Sequence, residues 1–90
     1  MNKNDLVTSV ADSAGISKAD STRAVDAVFD SITSALSGGQ EVRLVGFGTF
    51  VVTHRKASIG RNPRTGEKIQ IRASNQPKFR AGKGLKEAVN

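Results

Sequence analysis

Ninety residues with 14 Lys and Arg against 8 Asp and Glu, a net charge of +6, make one small basic domain and point toward a polyanionic partner. The absence of Cys excludes a disulfide framework, a thiolate zinc site and a cysteine nucleophile, and it fits a reducing compartment such as the cytoplasm. No apolar run is long enough to cross a bilayer, no long apolar stretch of the kind a secretory signal needs follows Met1, and a single His leaves little for enzyme chemistry.

In chain order, the first forty residues predict two helices. Asn2 caps a helix starting at Lys3, with Asp5 near its positive end, and Leu6, Val7, Val10, Ala11 and Ala14 share one face until Gly15. Ser17-Lys18-Ala19-Asp20 has the form of a capping box with Asp in place of Glu. A second helix then carries Val25, Val28, Phe29, Ile32 and Leu36 on one stripe and stops at Gly38-Gly39. The short link makes an αα-hairpin. Its second helix has Asp26 and Asp30 on the polar side and no Arg or Asn cluster, so it reads as core and dimer interface, not as a helix that reads bases.

From Glu41 the period changes to two. Val42 and Leu44 alternate with Arg43, Gly46-Phe47-Gly48 is a tight turn, and Thr49 to Arg55 is a second strand. The turn lacks the third Gly and the following helix of a nucleotide-binding loop. Asn62-Pro63-Arg64-Thr65-Gly66 is a turn by composition, and Glu67 to Ala73 alternates Ile69 and Ile71 with Lys68, Gln70 and Arg72. Between His54 and Gln70 only Ala57, Ile59 and Ile69 are hydrophobic. A ribbon that poor in apolar side chains projects as an arm, roughly 30 Å long for nine residues a side at ~3.4 Å each. After Pro77-Lys78-Phe79-Arg80 a short helix is expected, with Leu85, Ala88 and Val89 on one face. Lys83 at its start is a candidate phosphate neighbour, and Gly84 loosens it.

The charge is uneven. Residues 1–40 carry Lys3, Lys18 and Arg23 against five aspartates, a net of −2, whereas residues 41–90 carry eleven basic residues against Glu41, Glu67 and Glu87, a net of +8. At the arm tip, Arg61, Asn62, Pro63 and Arg64 join cations, a hydrogen-bonding amide and a rigid ring. Such a set suits a narrow, negative minor groove, where a proline can wedge between base pairs. His54 at the arm root reads as a phosphate neighbour or a packed strand residue, not a catalyst.

Gly46-Phe47-Gly48-Thr49-Phe50, Gly60-Arg61-Asn62-Pro63-Arg64-Thr65-Gly66 and Phe79-Arg80-Ala81-Gly82-Lys83 stand in an order and spacing that resemble the HU/IHF family of bacterial histone-like proteins, most closely HU. The resemblance covers essentially the whole chain and implies an α+β fold. A helical hairpin base, a three-stranded antiparallel sheet with a long β-ribbon arm and a short C-terminal helix would form an intertwined dimer. Residues 1–40 would be the helical dimerisation part, 41–54 and 73–81 the sheet body, 55–72 the DNA-binding arm and 82–90 the last helix. It places Arg55, Lys56, Arg61, Asn62, Pro63, Arg64, Thr65, Lys68 and Arg72 on the arm, with Pro63 as the intercalating residue. Lys3, Gly46, Gly48, Lys78, Arg80, Lys83 and Lys86 become body contacts, and Phe29, Leu44, Phe47, Phe50 and Phe79 a shared dimer core. Gly84 stands where the family usually has Ala, and Ser58 and Ile59 where many relatives are basic or polar.

The implied function is architectural: binding duplex DNA in the nucleoid with little sequence preference, bending and compacting it, without metal, cofactor, membrane or small-molecule substrate. Two other readings fit the charge. One is an IHF-type subunit that prefers a site and pairs with a paralogue. The other is a small basic RNA-binding protein, against which stands the expectation that all four Phe are committed to the core rather than to base stacking.

Overall fold

The computed structural model describes all residues, 1–90. Helix α1 spans Lys3–Ala14 and α2 spans Lys18–Ser37. The full capping box forms at the first helix: Asn2 Oδ1 accepts the Asp5 N–H, and the Asp5 carboxylate accepts the Asn2 N–H. At Ser17 the hydroxyl accepts the Asp20 N–H as expected, but no return bond from Asp20 forms, so the second box is half made. Gly15, at φ 67°, closes α1 in the left-handed conformation that Gly adopts without a Cβ penalty.

The two helices pack through Val7, Ala11 and Val25, all buried, around a polar residue that stands four before Val25 on the same helical stripe. Ser21 is fully buried, and its hydroxyl donates to the Val7 carbonyl at 2.6 Å. A side chain that small lets the helices approach, and the hydrogen bond removes the cost of burying its oxygen.

Strands β1 (Val42–Leu44), β2 (Gly48–Arg55) and β5 (Ser74–Ala81) form an antiparallel sheet in the order β1-β2-β5. Strands β3 (Ser58–Arg61) and β4 (Lys68–Ile71) form a separate two-stranded ribbon. The expected arm is thus interrupted. β2 and β5 pair out to Arg55↔Ser74, pairing lapses for two residues on each side, and it resumes at Ser58↔Ile71 in the same register. No residue is inserted, so the interruption is not a bulge. It falls at Lys56-Ala57 and Arg72-Ala73, where neither flank supplies an apolar pair to hold the strands together.

Gly48 is required at the root of β2. A Cβ there would lie 2.6 Å from the Arg80 carbonyl oxygen and would collide with the Phe79 ring. Phe79 in turn stacks tilted between Phe47 and Phe50, at centroid distances of 5.5 and 4.8 Å. The last helix, α3 (Lys83–Ala88), is shorter than expected. Val89 lies beyond its end and is 75% exposed, so the expected face of Leu85, Ala88 and Val89 is not a packed one. Gly84 has a structural reason as well as a propensity cost: a Cβ there would sit 2.6 Å from the Gly46 carbonyl oxygen, so its absence lets α3 close on the β1–β2 turn.

The molecule is elongated, 56 × 29 × 29 Å with a radius of gyration of 18.5 Å. A compact chain of this length would have a radius near 12 Å. Only 6 of 90 residues are buried, too few for a self-sufficient core.

Candidate nucleic-acid interface

Residues paired across a β-ladder point to the same face, and successive residues alternate between faces. The observed register therefore sorts the basic residues. One face of the body sheet carries the pairs Arg43↔Thr49↔Arg80, Val51↔Lys78, Thr53↔Gln76 and Arg55↔Ser74. That face has four cations and no carboxylate. In the ribbon, Arg61↔Lys68 and Ile59↔Gln70 share a face, and Gly60↔Ile69 and Ser58↔Ile71 the other. The ribbon is therefore two-sided, with Arg61 and Lys68 beside Ile59 and Gln70 on one side and Ile69 and Ile71 on the opposite one.

The other face of the body sheet carries Val42, Phe50, Phe79, Val52 and Pro77 toward the helices. Two clefts remain between that face and α2. One, of about 380 Å³, is lined by Ala27, Val28, Ile32, Val42 and Leu44 among others. A second, of about 410 Å³, lies between Leu36 and the Val52 and Pro77 pair. Both clefts are open to solvent, so the apolar face of the sheet is only partly covered within the chain.

His54 pairs with Asn75 on this helix-facing side, at the arm end of the sheet, with Nδ1 2.8 Å from the Asn75 amide oxygen. It is thus a strand residue with a hydrogen-bond partner, turned away from the cationic face.

The tip is closed by its own hydrogen bonds. The Asn62 N–H donates to the Glu67 carbonyl and the Gly66 N–H to the Asn62 carbonyl, both at 2.8 Å. The Asn62 side-chain oxygen accepts the Arg64 N–H at 2.9 Å, an Asx turn, and the Thr65 hydroxyl accepts the Glu67 N–H at 3.3 Å. Gly66, at φ 73°, completes the reversal. Pro63, Arg64 and Thr65 are exposed at the apex, while Asn62 is half-buried.

The structure thus brings Arg55, Lys78 and Arg80 together on the body face, and Arg61, Asn62, Pro63, Arg64, Thr65 and Lys68 at or near the tip. Lys56 and Arg72 lie in the interruption, outside both ladders. Lys3 is paired with Asp26 at 2.5 Å, and Lys83 lies 3.8 Å from Glu87; no other Lys or Arg has a carboxylate partner. Lys86 is exposed on α3, whose six residues leave little helix dipole to assist an anion. Gly46 and Gly48 bracket the turn against which α3 sits, and the Phe47 carbonyl accepts the Gly82 N–H at 2.8 Å.

Sequence reasoning missed Arg43 as a member of the cationic face, although its alternation with Val42 and Leu44 is the signal that places it there. Val51 stands on that polar face opposite Lys78 and is nevertheless only 6% exposed. Three of the four Phe are exposed in the single chain, Phe29 at 44%, Phe47 at 48% and Phe79 at 41%, as is Leu44 at 39%, whereas Phe50 is half-buried.

A cationic sheet face without acids, prolonged by a thin basic ribbon with a rigid proline tip, defines a protein that lays an extended surface on a polyanion. The comparisons agree. The family described as bacterial DNA-binding protein matches residues 1–90. DNA-binding protein HRm of Rhizobium meliloti is 62% identical over 90 residues, covering all of both chains. DNA-binding protein HU of Geobacillus stearothermophilus is 57% identical over 89 residues, 99% of each chain. Among solved structures, an Anabaena HU–DNA cocrystal superposes with a TM-score of 0.91 at 45% identity, covering 99% of this chain and 97% of that one. HU from Thermotoga maritima gives 0.70 at 34% identity over the full length of both. The chain belongs to the bacterial DNA-binding protein family, the group that includes HU.

Proposed function

We propose that the protein is an HU-type architectural factor of the nucleoid. As a homodimer, it binds duplex DNA with little sequence preference and bends and compacts it. The observation that carries this reading is the register-defined cationic face: Arg43, Arg55, Lys78 and Arg80 on the body, continued by Arg61 and Lys68 on the ribbon. Such a surface contacts phosphates, which position a protein without specifying sequence. The arm lies in the minor groove. Pro63, exposed at the apex and without an N–H to desolvate, wedges into a base step; the unstacking cost is offset by the additional surface wrapped. The Anabaena relative, whose structure was determined with DNA, supports the same mode of engagement here.

Dimerisation follows from the missing core. Phe29, Leu44, Phe47 and Phe79 are exposed, and the clefts beside α2 are lined by Val28, Ile32, Val42 and Leu44. A second copy fills these clefts, giving the small chain the burial it lacks. The protein acts by binding and shaping DNA.

The test is a gel shift against random duplex, nicked duplex and double-stranded RNA, with solution mass measured in parallel. The reading predicts a dimer that binds both DNAs, the nicked one more tightly because part of its deformation cost is already met. A monomer, or a preference for RNA, would overturn it.

A further inference from the structure

His54 is the chain's only histidine, and its surroundings leave the ring free to change charge in place. It stands exposed on β2 opposite Asn75, one residue before the end of the continuous ladder. Nδ1 lies 2.8 Å from the Asn75 amide oxygen. That oxygen only accepts, so Nδ1 carries the hydrogen and Nε2 is the open nitrogen. An imidazolium donates from both nitrogens, so a second proton taken at Nε2 leaves the contact with Asn75 intact. The groups around the ring carry no negative charge. Val52 and Pro77 stand next to it on the same side of the sheet, and Thr33, Leu36 and Ser37 of α2 line the adjoining cleft. Outward along the arm come Lys56 and Ala73, beyond the ladder, and the next residue in the chain, Arg55, is a cation. No carboxylate lies within 4.0 Å of His54. The single chain thus gives an imidazolium no anionic partner, and a phosphate backbone would be the first.

A minor groove is about 6 Å wide, with phosphates along both walls. Where a ribbon enters it, phosphates stand within a screening length of about 8 Å at physiological salt, whichever face a side chain occupies. Imidazole is the side chain that ordinarily changes charge between about pH 5 and 8, and a neighbouring negative charge favours its protonated form. We propose that His54 makes DNA binding proton-linked: its imidazole takes up a proton as the root of the arm meets the duplex, so the complex tightens as pH falls. The proposal rests on the minor-groove reading above and deepens it. It adds a cation that exists only at the acidic end of this range, on the side of the arm root opposite Arg55. The bound state holds the proton more tightly than the free state. Affinity is therefore highest below the range in which the free ring titrates, and it falls as pH rises through the range of the bound one.

The experiment is fluorescence anisotropy of the full-length homodimer on a nicked duplex, at constant ionic strength, across the range in which imidazole titrates. The wild type should bind roughly tenfold more tightly at about pH 6 than at about pH 8, or about threefold for each chain from one charge near a few screened phosphates. His54→Gln keeps a donor for the Asn75 oxygen but cannot gain charge. It should lose most of this dependence and match the wild type at the alkaline end. His54→Lys should hold the higher affinity throughout. The α-amino group titrates near about pH 8 and is common to all three proteins, so the difference between wild type and His54→Gln isolates the ring. Calorimetry near neutral pH in two buffers of different ionisation enthalpy should show proton uptake by the wild type and little by His54→Gln. Solution mass and circular dichroism at both ends of the range check that each protein remains a folded dimer. The same pH profile for wild type and His54→Gln, or binding without proton uptake, would overturn the proposal. Arg61→Ala separates the two levels of the account. If it weakens binding while the wild type shows no pH dependence, only the role of His54 fails. If it leaves binding unchanged at every pH, the arm is not in the groove and both readings fail.

Discussion

Replacing Lys78 by Ala tests whether register, not mere basicity, defines the DNA surface. Lys78 sits on β5 opposite Val51, on the face that also holds Arg43, Arg55 and Arg80. It has no carboxylate partner, so its charge is available to a phosphate. Each phosphate contact adds about 0.9 to the slope of log affinity against log salt, so one lost contact per chain lowers the slope of a homodimer by about 1.8. Between about 50 and about 200 mM salt, the variant should therefore lose about tenfold less affinity than the wild type. Lys18, exposed at the start of α2 and far in sequence from the sheet, serves as the control. The assay is fluorescence anisotropy on a random duplex across a salt series. If Lys78→Ala keeps the wild-type slope, or if Lys18→Ala lowers it equally, the face assignment is wrong and net charge alone governs binding.

Three further outcomes concern the scaffold. Ser21→Ala removes the hydrogen bond to the Val7 carbonyl and should cost about 1 kcal/mol, read as a fall in Tm of several degrees by calorimetry; no change would mean that the buried hydroxyl contributes nothing. Gly48→Ala forces a Cβ to within 2.6 Å of the Arg80 carbonyl and into the Phe79 ring, so a loss of at least about 1–3 kcal/mol in chemical denaturation is expected; full retention of stability would contradict the packing described. Phe29→Ala, at a ring 44% exposed in the single chain, should raise the dimer dissociation constant on the order of 100-fold in sedimentation; an unchanged constant would place the dimer interface elsewhere.

Much of this was legible in the sequence because local signals agree with the fold. Asn2, Gly15, Ser17 and Gly38 bound the helices through caps whose chemistry is short-range, and the alternation around Ile69 and Ile71 marks a two-sided ribbon. What escaped depends on partners distant in the chain. Ser21 stands four residues before Val25 on the buried stripe, but its polarity masks that place, and only the Val7 carbonyl in α1 shows how its hydroxyl is satisfied there. Val51 reads as an ordinary core valine. Its place on the cationic side follows from its pairing with Lys78, which no local pattern supplies. The gap between Arg55 and Ser58 is invisible because nothing in Lys56-Ala57 is a breaker; the strands part there for want of cross-strand packing. Gly84 reads as a weak helix residue, and only the nearby Gly46 carbonyl reveals why a side chain is excluded. The inward turn of the Asn62 oxygen needed the observed Arg64 contact.

The most direct measurement uses the absence of native Cys. Thr65→Cys places a single thiol at the exposed apex, to which an iron chelate that generates hydroxyl radicals can be attached. Cleavage of a nicked duplex then maps where the tip travels. The account predicts cuts on both strands offset toward their 3′ ends, the signature of a radical source in the minor groove, centred a few base pairs from the nick. Cuts offset toward the 5′ ends, or no cuts above the level of free chelate, would contradict it.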